Sequence, residues 1–114
     1  HGHTYTLQVE ISGELHAEGA KSGMVMDYSD LKAIVKAHIL DNMDHAFIYD
    51  LTSEKECKVA SLLNTLDSKT FGISARTTAE QMAKYIFDTL TDVGLPVSLI
   101  RLWETPTSYC EYSK

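Results

Sequence analysis

Several groups of residues in this 114-residue chain carry side chains able to do chemistry. His1 and His3 stand one residue apart and lead into the alternating stretch Tyr5-Thr6-Leu7-Gln8-Val9-Glu10-Ile11. Strand side chains repeat every second residue, so both imidazoles fall on one face. Such a pair on a rigid strand needs only one more protein ligand to make an open zinc site of the catalytic kind. The alternative is a frayed terminus or tag remnant with two solvated histidines. Asp44-His45 sets a carboxylate beside an imidazole at a helix exit, where the histidine can exchange protons near neutral pH and the acid can set its tautomer. Its alternative is an ordinary solvated exit. Glu104, beside Trp103 at the end of an apolar run, can accept two parallel N–H bonds of the kind a guanidine or 2-aminopyrimidinone edge presents, or can sit solvated at a rim.

These groups need elements to position them. Residues 4–13 read as a half-buried antiparallel strand with Tyr5, Leu7, Val9 and Ile11 on one face. By the same parity His1 and His3 point to the inner side. After a polar stretch, 14–22, Gly23-Met24-Val25-Met26 reads as a short strand pairing back on the first. Asp27 caps a helix, Asp30 supports its start, and Leu31, Ile34, Val35, His38 and Ile39 form its stripe; His38 borders the stripe as a structural residue. Residues 58–67 have helical spacing, and Phe71, Ile73 and Ala75 alternate in a short extended piece. Thr77, with Glu80 three residues later, caps a second long helix running to about Val93, with Met82, Ala83, Ile86, Phe87 and Leu90 buried and Gly94 stopping it. Its free N–H groups offer a place for a polar ligand edge. Pro96 opens a final hairpin, turned at Thr105-Pro106-Thr107 and closed by residues 108–112.

Composition narrows the function classes. The length suits a single domain over 1–114, and 44% hydrophobic residues suffice for an ordinary core. A net charge of −6 disfavours a nucleic-acid partner bound through phosphates. A small-molecule site suits this balance better. No apolar run approaches the roughly 18 residues needed to span a bilayer, so no membrane partner is expected. Two distant cysteines, Cys57 and Cys110, form no disulfide framework, which fits a cytoplasmic setting.

The motifs coincide in order. His-Gly-His entering a strand, Gly-Met-Val-Met-Asp-Tyr-Ser-Asp-Leu-Lys at the first helix, Met-Asp-His-Ala-Phe after it, Thr-Thr-Ala-Glu opening the second long helix and Trp-Glu-Thr near the end resemble the 6-pyruvoyl-tetrahydropterin synthase family. Within it the likeness is greatest to the bacterial 6-carboxy-5,6,7,8-tetrahydropterin synthases of the queuosine pathway. The resemblance implies an α+β tunnelling fold: an antiparallel sheet with two long helices packed on one face, assembled by oligomerisation into a hexamer or tetramer with shared active sites. It implies Zn²⁺ as cofactor, held in part by His1 and His3, proton transfer by Asp44 and His45, and a pterin substrate bound by Glu104 and Thr78, with Thr105 as a further contact. The implied reaction is a lyase step on 7,8-dihydroneopterin triphosphate. Relatives carry a strand before His-Gly-His with a third zinc histidine and a catalytic cysteine, so the chain is expected to be N-terminally incomplete. Two other readings are a 6-pyruvoyl-forming synthase and a non-catalytic metal-binding module, in which a free amino terminus and His3 chelate Cu²⁺ or Ni²⁺.

Overall fold

The computed structural model describes residues 4–14, 19, 23 and 25–114. The first alternating stretch forms β1 (Thr6–Ile11), with Leu7, Val9 and Ile11 half-buried and Thr6, Gln8 and Glu10 exposed. It pairs antiparallel with β4 (Val97–Thr105), which pairs in turn with β5 (Ser108–Tyr112), giving the order β1-β4-β5. Leu7 lies opposite Leu102 and Val9 opposite Ile100, so one face of the sheet is apolar. Gln8, Arg101 and Glu111 share the other face, where the Arg101 guanidinium pairs with the Glu111 carboxylate.

Helix α4 (Ala79–Asp92) covers the apolar face. Its stripe Met82, Ala83, Ile86, Phe87 and Leu90 is buried as the spacing requires, and the Phe87 ring meets Tyr112 of β5 edge-on at 5.2 Å. Gly94, at φ +99, ends the helix in a backbone conformation that glycine adopts without strain. Helix α1 (Tyr28–Val35) is capped by Asp27, whose carboxylate accepts the Ser29 N–H at 2.8 Å. It runs on through a π-helical turn (Lys36–Leu40) into the short α2 (Asp41–Met43). The π turn buries Ile39, while Leu31, Ile34 and Val35 pack partly buried against the same core. His38 is exposed beside that stripe.

Three expectations are corrected. Residues 23–26 do not form a strand in their described part: Gly23 turns the chain at φ +80, and Val25 and Met26 lie in bends. β1 finds its partner in β4, 88 residues on at the Glu10–Ser98 contact. In the middle segment the helix expected over 58–67 and the extended piece from Phe71 are present, and the correction concerns residues 47–50, where no strand was expected. β2 (Phe47–Asp50) and β3 (Thr70–Ile73) form a separate parallel pair, joined by α3 (Glu54–Thr65). Parallel strands require a long crossover, and α3 supplies it. Finally, Thr78 rather than Thr77 caps α4. Thr78 is extended (φ −76, ψ 156) and accepts the Gln81 N–H at 3.2 Å. With two threonines in a row, burial of Ala79, Met82 and Ala83 sets the helical phase and so selects the cap.

Candidate active site

A cleft of about 870 Å³ opens between β1, the end of the α1–α2 segment, β2 and α4. Leu7, Ile39, Met43, Ile86 and Leu102 give it an apolar floor, while Asp44, His45, Lys69 and Thr77 bring polar groups to it. An apolar cavity with a few convergent polar groups is the usual form of a small-molecule site. The π turn contributes directly, because it precedes α2 and aims Ile39, Leu40 and Met43 into the cleft. Such turns are frequent at functional sites.

Asp44 ends α2 in extended conformation, and His45 follows at φ 59, in the left-handed region. His45 Nε2 stands 3.7 Å from Asp44 Oδ2, and 91% of the histidine side chain is exposed. The imidazole is therefore free to meet a ligand while remaining within ion-pair range of the acid. Lys69 completes this corner: its Nζ donates to the Asp44 carbonyl at 2.7 Å, and its own carbonyl accepts the Phe47 N–H at 2.9 Å. No local pattern announces Lys69. It reaches the site from 25 residues away.

Glu104 sits where the β4–β5 register slips. Trp103 pairs with Tyr109 and Thr105 with Ser108, which leaves Glu104 as the extra residue of a bulge. Bulges re-aim side chains and often lie beside active sites. Glu104 is half-buried, and its charge is felt on the apolar side of the sheet. Burial first, then the Glu104 carboxylate, push the Tyr5 hydroxyl above its usual range. Burial, then Glu80 and Glu104, push the Cys110 thiol up likewise. Tyr5 lines the large cleft, whereas Glu104 does not.

The remaining candidates are distributed elsewhere. Thr78 lines a smaller polar pocket of about 540 Å³ with Asp50, Glu56 and Arg76; Thr77 lines both cavities. Thr105 is exposed at the hairpin, its hydroxyl oxygen accepting the Thr107 N–H at 3.3 Å. One chain thus brings Asp44 and His45 into the main cleft and leaves Thr78, Glu104 and Thr105 outside its lining. His1 and His3 lie outside the described residues. Among the described residues no group of three or more His, Cys, Asp or Glu is placed to hold a metal ion. Two imidazoles one residue apart have donor chemistry that suits zinc.

The signature of the family described as 6-pyruvoyl tetrahydropterin synthase matches residues 1–114. The chain is 64% identical over 115 residues to the 6-carboxy-5,6,7,8-tetrahydropterin synthase of Haemophilus influenzae, covering all of this chain and 82% of that protein. It is 33% identical over 122 residues to a putative synthase of the same description from Pyrococcus horikoshii, covering 97% and 72%. An uncharacterized protein from Wolinella succinogenes has a similar solved structure, with a TM-score of 0.71 at 20% identity, covering 98% of this chain and 77% of that one; at that identity the likeness concerns the fold. On the full-length match of its sequence, the chain belongs to the 6-pyruvoyl tetrahydropterin synthase family.

Proposed function

We infer that the chain is a lyase of the 6-carboxy-5,6,7,8-tetrahydropterin synthase type, acting in queuosine biosynthesis. It converts 7,8-dihydroneopterin triphosphate to 6-carboxytetrahydropterin with release of triphosphate and acetaldehyde. The observation that carries this reading is the 64% identity to the Haemophilus influenzae synthase over the whole chain. The cleft supports it, being large, apolar-floored and edged by an acid–imidazole pair.

Zinc is the proposed cofactor, with His1 and His3 among its ligands. Tyr5 and Leu7, two and four residues after His3 in the sequence, both line the cleft. When bound, the metal would lower the pKa of substrate hydroxyls. His45 exchanges a proton with the substrate at Nδ1, since Nε2 faces Asp44 Oδ2. The Asp44 carboxylate, 3.7 Å from Nε2, lies beside the ring edge that faces away from that proton. Glu104 accepts the paired N–H groups of the pterin edge and so contributes orientation. Thr78 and Thr105 already use their hydroxyl oxygens to accept backbone N–H groups, so each offers the pterin a hydroxyl proton.

These roles fall on separate surfaces of one chain, which supports a homo-oligomer, hexamer or tetramer, whose copies complete each other's sites. β1 and β5 form the edges of the described three-stranded sheet and are available for such association. Two free cysteines suit a reducing, cytoplasmic setting. Among the described residues no helix is long and apolar enough to cross a membrane.

The test is to supply the purified protein with zinc and 7,8-dihydroneopterin triphosphate and to identify products by mass spectrometry. A 6-carboxytetrahydropterin with equimolar acetaldehyde is expected. A 6-pyruvoyl product would assign the other reaction of the family and overturn this one.

A further inference from the structure

We propose that Lys69 is a positioning residue for the Asp44-His45 pair, clamping the turn that presents His45 to the cleft. The catalytic consequence rests on the synthase reading above; the clamp itself rests on geometry.

His45 adopts φ 59, a conformation that its β-carbon disfavours and that surrounding contacts must hold in place. On the helix side, the Asp44 N–H donates to the Leu40 carbonyl at 2.9 Å and the Ala46 N–H to the Met43 carbonyl at 3.1 Å. On the opposite side, both bonds come from one residue. Lys69 Nζ donates to the Asp44 carbonyl at 2.7 Å, and the Lys69 carbonyl accepts the Phe47 N–H at 2.9 Å. The Asp44 carbonyl belongs to the peptide unit that joins Asp44 to His45. An ammonium held on that oxygen therefore fixes the rotation of the unit, and with it the direction of the imidazole.

The rest of the segment explains how a residue so distant in sequence arrives there. β2 begins at Phe47, immediately after the turn, and pairs in parallel with β3 from Thr70. The pairing brings the residue preceding β3 alongside the residues preceding β2. Lys69 and His45 then line the same cleft. The backbone bond follows from the strand pairing and any residue there would make it; the side-chain bond to the Asp44 carbonyl is particular to Lys69.

Lys69→Met removes the donors, keeps the aliphatic stem and leaves the backbone bond to Phe47 intact; Lys69→Arg restores a donor. Two readouts separate positioning from other roles: steady-state kinetics with zinc and 7,8-dihydroneopterin triphosphate, and amide hydrogen exchange of the same zinc-loaded protein. Lys69→Met is expected to lower kcat about tenfold, the worth of one charge-assisted hydrogen bond. KM should stay within about twofold, because no substrate contact is lost. Exchange at Ala46 should quicken about tenfold while amides of β1 and β4 keep their rates. Lys69→Arg should recover most of both effects. Unchanged exchange at Ala46 would overturn the clamp, as would a raised KM with kcat intact, which would make Lys69 a substrate contact. A wild-type protein without synthase activity would sink the functional reading alone, and the exchange comparison would still decide the clamp.

Discussion

Replacing Thr78 by alanine tests the choice between the two adjacent threonines at the start of α4. Thr78 Oγ1 accepts the Gln81 N–H at 3.2 Å, and loss of such a cap costs about 1 kcal/mol. The first turn it secures contains Ala79 and Met82, 5% and 3% exposed against the core, so fraying there uncovers apolar surface as well as backbone. For a domain of this size 1 kcal/mol corresponds to about 4 °C in Tm. Calorimetry at matched protein concentration, needed because assembly would couple to unfolding, should therefore place Thr78→Ala about 4 °C below wild type. Thr78→Ser keeps the acceptor and should stay near the wild-type Tm. Thr77→Ala should lose less than half as much, since Thr77 lines the two cavities without capping the helix. A larger loss for Thr77→Ala than for Thr78→Ala would refute the assignment of the cap and the helical phase that follows from it.

Two further outcomes follow from the core. Ile100 is 0% exposed on the central strand; Ile100→Ala removes about 2.4 kcal/mol of transfer free energy, raised to about 3–4 by the cavity left behind, and urea unfolding showing a loss below about 1 kcal/mol would mean that α4 does not seal that face. Burial and the carboxylates of Glu80 and Glu104 raise the Cys110 thiol, so the native state holds this proton more tightly than the unfolded chain does. Its contribution to stability is complete at neutral pH and is lost as the pH climbs past the thiol range of the unfolded chain, about 8.5, towards the folded value. Cys110→Ala should accordingly flatten the fall in the urea midpoint over that interval; an unchanged slope would contradict the burial of the thiol.

Elements with local signals were legible in the residues alone. A period of two gave β1 and a period near 3.6 gave α4 with its buried stripe, because each pattern records which side of one element meets the core. Ordered motifs were enough to name the family, since their side chains are retained in the chain whatever brings them together. Tertiary structure decided matters that depend on distant partners. It chose Thr78 over Thr77 as the cap by the packing of Ala79 and Met82, and it turned residues 47–50 and 70–73 into a parallel pair. Alternation marks the second of these as extended, but the first is too short to carry a period that separates strand from loop, and neither pattern names its partner. It also slipped the β4–β5 register at Glu104 and set Lys69 on the peptide between Asp44 and His45. A bulge is defined only by its partner strand, and a contact 25 residues apart in sequence by the path of the chain between; neither is written in any single stretch of residues.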